Sequence, residues 1–190
     1  MGGVEEDTYD PLAPSTGLRA AVLRKVEEMT GLAPGYHLAV DEGDAYDFLN
    51  TLSIVKAAGT ATNNGLAVVE CRQPAGFAPP PHVHHNEDEA FYVLAGRLVA
   101  QLGEQQIAAE KGSFLWLPRG VQHGYVVGDE PCSMLIITTP AGFERFVAEV
   151  GSPTANTDRL PEPREPDVRR LMEIAGRYGM EFPPPTGQAP

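Results

Sequence analysis

Three histidines and a glutamate stand at spacings that could bring four metal ligands together. His82 and His84 are two apart, so on an extended strand both imidazoles point to one face. Glu89 opens the next apolar run after a polar turn, Asn86-Glu87-Asp88, and a turn there folds it back beside the two rings. His123 lies about forty residues further on, on a different predicted strand that a closed sheet can bring across. Three imidazoles and a carboxylate suit one divalent first-row ion per chain, whether iron, manganese, cobalt, nickel, copper or zinc. Four ligands leave room in the shell for substrate and water, the layout of a catalytic site and not of a closed structural one. Histidine must be neutral to bind, and its ordinary pKa of about 6.5 permits that at neutral pH. Any one of these histidines taken alone is more often a plain surface or core residue; the joint spacing sets them apart. His85 has the opposite parity and is expected to face solvent or to brace the ligands, and His37 has no role.

Substrate contacts follow from the same parity. If Glu89 faces inward, Phe91 and Val93 share its face; if His123 does, so do Tyr125 and Val127. Phe91 and Tyr125 could then stack on an aromatic ring, or simply fill the core. Trp116, beside the Pro118 turn, is a third candidate contact, at a place where parity is a weak guide. Cys71 and Met134 also reach the interior, without an assigned role.

The elements that must position these residues are short strands. Apolar or alternating runs over 36–40, 48–57, 65–72, 89–95, 97–102, 105–109, 113–117, 122–127 and 133–139 predict strands. Asn63-Asn64-Gly65, Pro74-Ala75-Gly76, Lys111-Gly112 and Pro118-Arg119-Gly120 supply turns between them. Regular short strands of this kind point to an all-β sandwich or barrel over residues 35–150. Residues 1–34 read as a loose arm and a helix over 16–30, with Leu18, Val22, Val26 and Met29 on one stripe and Gly31 to end it. After the barrel, 142–150 and 166–178 read as helices. The second lies in a C-terminal part, 151–190, that carries Pro161, Pro163 and Pro166 and ends in a proline tail. No internal repeat is evident, so one barrel is expected.

The 190 residues suffice for one domain with a sizeable core, and 42% hydrophobic with 21% charged residues is ordinary globular composition. A net charge of −12 repels nucleic acid and anionic membranes, which discounts both as partners. Two cysteines, Cys71 and Cys132, are too few for a disulfide scaffold and read as free buried thiols. The acidic start has no apolar run of signal-peptide kind, and no stretch is long enough to span a bilayer, so a cytoplasmic protein is expected. The apolar helix faces predict a homodimer, and the remaining partner is a small-molecule substrate.

At its metal-ligand spacings the chain resembles the cupin superfamily. The first cupin motif, G-x5-H-x-H-x4-E-x6-G, is met by Gly76, His82, His84, Glu89 and Gly96 within GFAPPPHVHHNEDEAFYVLAG. The second, G-x5-P-x-G-x2-H-x3-N, is met by Gly112, Pro118, Gly120 and His123 within GSFLWLPRGVQHGYVV; its final asparagine is replaced by Val127, which implies a more apolar pocket wall. From about Tyr36 to Val150 the chain is similar to single-barrel cupins of the quercetin 2,3-dioxygenase type. That resemblance implies a jelly-roll β-barrel with His82, His84, Glu89 and His123 as metal ligands; with the helices read from the sequence, the expected architecture is all-β, a barrel flanked by an N-terminal helix, which lies outside the resemblance, and C-terminal helices. The resemblance also implies a dioxygenase acting on a phenolic or enol-type small molecule. In that group the glutamate both ligates the metal and accepts the substrate's hydroxyl proton, so Glu89 would carry both roles. Two alternatives remain: a non-redox isomerase, lyase or decarboxylase, and a binding cupin without turnover.

Overall fold

The computed structural model describes residues 35–183 together with Lys25. The helix expected over 16–30 lies, Lys25 apart, outside the described residues.

Twelve strands carry the fold: β1 (Asp44–Phe48), β2 (Thr51–Ala57), β3 (Ala67–Gln73), β4 (Val83–His84), β5 (Asp88–Ala95), β6 (Arg97–Leu102), β7 (Gln105–Glu110), β8 (Phe114–Leu117), β9 (His123–Val127), β10 (Cys132–Thr139), β11 (Ser152–Pro153) and β12 (Met180–Glu181). Two helices follow the barrel strands, α1 (Phe143–Val150) and α2 (Val168–Arg177). One sheet runs β11-β1-β2-β3-β10-β5-β8, a second runs β7-β6-β9, and β12 pairs with β4. Strict alternation explains the layering. On β3 the residues Ala67, Val69, Cys71 and Gln73 are buried, and on β10 Cys132, Met134, Ile136 and Thr138 are, with partly exposed residues between them. The small sheet answers with Leu98, Ala100, Tyr125 and Val127, so the core lies between two inner faces. Both cysteines are free and buried in it.

Most predicted strands appear within a residue or two of the expected bounds, and two do not. Residues 36–40 form no strand, because the sheet edge beside β1 is taken by β11, where Tyr46 pairs with Pro153. The single run expected over 48–57 is a hairpin. Leu49 and Asn50 both take positive φ, at 49° and 67°, so the chain reverses between β1 and β2 with Phe48 opposite Thr51. Asn50 suits that conformation; Leu49 disguises it. The Asn50 side chain also bonds Arg164 in both directions, tying the turn to the proline-rich segment.

Gly96, the last residue of the first motif, turns β5 into β6 at φ 75°. A Cβ there would sit 2.4 Å from the Pro131 carbonyl oxygen, so glycine is demanded twice, by conformation and by space. After α2, capped by the Asp167 carboxylate accepting from Arg170 N–H, the chain turns back to the barrel, and the proline tail expected beyond Pro183 lies outside the described residues. The returning segment forms β12, with Met180 opposite His84 and Glu181 opposite Val83. Among the described residues no helix is long and apolar enough to cross a membrane.

Candidate metal centre and its cavity

Backbone pairing draws the ligands together. His82 and His123 exchange two N–H···O bonds of 2.9 Å, clamping the first histidine stretch to the start of β9. Gly120 N–H donates to the His84 carbonyl, and the Arg119 guanidinium and N–H bind Asp88, so the Pro118-Arg119-Gly120 turn locks onto the stretch between His84 and Glu89. Glu89 sits on β5 between Thr138 of β10 and Leu117 of β8, one strand in from the sheet edge. As a result one atom from each of His82, His84, Glu89 and His123 lies within 4.8 Å of all the others. His82 Nε2 is 3.1 Å from His84 Nε2, and His123 Nε2 is 2.9 Å from a Glu89 oxygen.

The outer nitrogens decide what those inner atoms offer. His82 Nδ1 lies 2.9 Å from the Pro80 carbonyl oxygen, and His123 Nδ1 lies 3.0 Å from that of Val121. A carbonyl only accepts, so both Nδ1 atoms carry the proton. His84 Nδ1 donates in the same way to the Glu87 carboxylate, at 2.9 Å. In the neutral rings all three Nε2 lone pairs therefore face inward, beside a carboxylate oxygen, with no proton between them. Such a set repels itself unless a cation sits among it, and it fits a divalent transition-metal ion.

Electrostatics lean the same way. Burial pushes the His82 imidazole down to about 4, leaving it neutral. For Glu89 burial opposes the charge, whereas positive charge on His84, His123 and His82 would outweigh it and hold the carboxyl down to about 2, a role that a bound cation would take over with neutral rings. For His84 burial is again the largest influence, but Glu89 and Glu87 outweigh it and raise the ring above its ordinary value. The two carboxylates that attract a proton to His84 attract a metal cation equally. Burial holds the Tyr125 phenol well above the usual tyrosine range.

His82 and Glu89 form part of the wall of an apolar cavity of about 60 Å³, room for a few water molecules. Phe91 and Tyr125 line it, as expected, and their rings meet edge to face at 5.3 Å. Trp116 does not. On β8 the buried positions are Leu115 and Leu117, so Trp116 points outward at 49% exposure, because strand alternation continues unbroken to the Pro118 turn. Val127 is buried in the core but is not part of the cavity wall. His85 is half exposed and bonds Glu181, and His37 is exposed.

Several contributors were not foreseen. Glu87 read as part of a polar turn, yet it is buried and holds His84. Gln73 shares the parity of Cys71, a signal that was available. From the helices and β12 come Phe143, Phe146, Leu171 and Met180, and Phe182 follows with its ring 5.8 Å from that of His82. Nothing in local spacing announces that the C-terminal segment closes the cavity.

Residues 68–138 match the cupin domain family. The chain belongs to the cupins. This cupin is 30% identical over 138 residues to the quercetin 2,3-dioxygenase of Bacillus subtilis (strain 168), covering 71% of this chain and 41% of that protein. It is 30% identical over 86 residues to the quercetin 2,3-dioxygenase of Aspergillus japonicus, covering 43% and 25%. The chain thus spans about two fifths and a quarter of the length of these relatives. Among solved structures, the cupin resembles KdgF from Halomonas sp. with a TM-score of 0.53 at 20% identity, over 58% of this chain and 98% of that one. It resembles an RmlC-like cupin from Shewanella frigidimarina with a TM-score of 0.50 at 17% identity, over 58% and 96%. At those identities the likeness is one of fold alone.

Proposed function

We propose that this cupin is a metal-dependent dioxygenase of the quercetinase-like type, acting on a phenolic or enol-type small molecule. The reading is carried by one observation: His82 and Glu89, half of the ligand set, open directly onto a cavity walled by aromatic and aliphatic side chains. His82, His84, Glu89 and His123 would hold the ion, which would act as a Lewis acid on a bound substrate hydroxyl. Glu89, the buried carboxylate of the ligand set and part of the cavity wall, is the group placed to take the hydroxyl proton. Phe91 and Phe143 flank the reacting region and exclude water. Similarity to two quercetin 2,3-dioxygenases supports the oxygen chemistry over non-redox alternatives. Two free buried thiols suit a reducing cytoplasm as the site of action. The working unit is a homodimer.

The test is oxygen uptake by the full chain loaded in turn with iron, nickel, cobalt or manganese, against a panel of flavonols and 1,3-diketones. Uptake that depends on both metal and substrate is expected, and Glu89→Gln should lower it about a hundredfold or more. No uptake with any pair, or equal turnover without oxygen, would overturn the reading.

A further inference from the structure

The metal centre leaves one polar pair in the cavity without a task. Gln73 ends the inward row of β3, and Tyr125 follows His123 by two on β9, so both side chains enter the barrel. Gln73 Nε2–H donates to the Tyr125 hydroxyl oxygen at 2.7 Å. Gln73 is 1% exposed and Tyr125 8%. Gln73 Oε1 has no hydrogen-bond partner among the described residues. An unpaired buried carbonyl oxygen destabilises a fold unless something supplies a donor.

The tyrosine is half used as well. Its oxygen accepts from the amide, and its own proton, retained at neutral pH, is left to donate elsewhere. Turning the amide end for end makes the hydroxyl the donor and Oε1 the acceptor, and then bares Nε2 and a tyrosine lone pair instead. In either arrangement the pair keeps at least one unspent donor and at least one unspent acceptor, side by side. A hydroxyl group satisfies both at once. A carboxylate brings no donor and an ammonium no acceptor, and either charge would be buried at high cost among apolar walls.

The surroundings supply the rest of the ligand. The Tyr125 ring is flanked by Phe91 at 5.3 Å and Phe77 at 6.2 Å, both lining the cavity. Strand register sets Gln73 apart from the metal ligands, while Tyr125 reaches it from two residues beyond His123. Gln73 stands opposite Cys132 at the start of β10, whereas Glu89 stands opposite Thr138 near its end.

We propose that Gln73 and Tyr125 form a hydroxyl-recognition subsite in the cavity that His82 and Glu89 also line, and that the ligand it takes is an uncharged phenol. As a statement of substrate class this rests on the dioxygenase reading; the subsite itself requires neither metal nor oxygen. A phenolic substrate would present one oxygen to the metal and a second hydroxyl to Gln73 and Tyr125.

The experiment titrates the full chain, without metal, with phenol and with toluene, following the side-chain amide signals of Gln73 by nitrogen-15 NMR. Phenol is expected to move those signals and to bind about tenfold more tightly than toluene. Gln73→Leu and Tyr125→Phe should each bring the two affinities together, abolishing the tenfold preference for phenol. If Gln73→Leu does not fold, Tyr125→Phe, which removes a single oxygen, carries the comparison. Equal affinities in the unmodified protein, unmoved amide signals, a resident water that phenol does not displace, or a preference that survives in Tyr125→Phe would each overturn the subsite. Loss of the phenol preference with oxygen uptake intact removes the subsite alone; the opposite result removes the dioxygenase reading and keeps the subsite.

Discussion

His84 is held from both sides, and the outer contact is as important as the inner one. Glu87, buried against the start of α1, accepts from Nδ1–H and so directs the Nε2 lone pair toward the other ligands. The space for Glu87 depends on Gly142, where a Cβ would come within 2.6 Å of its carboxylate. Glu87→Ala should weaken Co(II) or Zn(II) binding about 10–100-fold, the usual cost of removing such a brace. Glu87→Gln, which keeps an acceptor of the same length, should lose less. Competition with a chromogenic chelator measures both, and the Co(II) absorption bands should shift in Glu87→Ala. Affinity and bands unchanged from the parent would show that Glu87 only fills space. His82→Ala and His123→Ala should lose most of the bound metal, read by elemental analysis of the purified variants.

At the scale of elements, the C-terminal segment acts as a strap over the cavity. Leu171, Ile174 and Ala175 of α2 and Met180 of β12 bury apolar surface on the barrel, and β12 adds a two-residue ladder to the strand bearing His84. A cavity of about 60 Å³ under this strap is small for a three-ring flavonol, so binding of such a substrate, if the proposed function holds, would require the strap to lift. Its polar anchor is Glu149 of α1, which accepts from the Tyr178 hydroxyl at 2.8 Å and pairs with Arg177; its carbonyl accepts from Arg170. The Tyr178 hydroxyl and then Arg177 lower the Glu149 carboxyl below its ordinary range. A depressed carboxyl contributes fully above the unfolded value and loses its contribution as pH falls through the folded one. Hydrogen exchange over residues 168–182, corrected for intrinsic rate, should therefore quicken relative to the barrel strands as pH drops below about 4. Glu149→Gln should flatten that dependence. Equal protection of strap and barrel between neutral pH and pH of about 3 would refute the anchor.

At the scale of the whole molecule, the outer face of the large sheet is apolar along its β5–β8 edge, whereas Glu70 and Arg72 of β3 carry charge further in. Tyr92, Phe114 and Trp116 are 41%, 60% and 49% exposed, and register sets Tyr92 beside Phe114 and Ala90 beside Trp116. β8 ends the seven-stranded sheet, and among the described residues no strand pairs with its outer side. Two chains of net charge −12 repel one another over most of their surface, but these three side chains bring no like charges together. An isologous contact of β8 with β8 is thus the expected seat of the homodimer. Light scattering should give about twice the 20.4 kDa chain mass, and Phe114→Glu with Trp116→Glu should return the monomer. A monomer mass for the unmodified chain would exclude the pairing. Trp116, taken from sequence as a substrate contact, belongs to this outer face.

The sequence by itself determined what depends on short spacing. Period-two alternation placed the inward rows of β3, β9 and β10, and the separation of His82 from His84 put two imidazoles on one face before any fold was known. The motif glycines and Pro118 marked the turns that carry Glu89 and His123 to them. Only the tertiary structure decided what depends on distant chain meeting distant chain. Glu87 looks no different from Asp88 until α1 packs over one of them, and Met180 becomes a cavity wall only because β12 finds β4, almost a hundred residues earlier. Leu49 shows the same limit at close range. Its side chain disfavours positive φ, and the pairing of β1 with β2 overrides that preference to make a turn. Local preference is a property of a few residues, whereas burial and partnership belong to the assembled sheet.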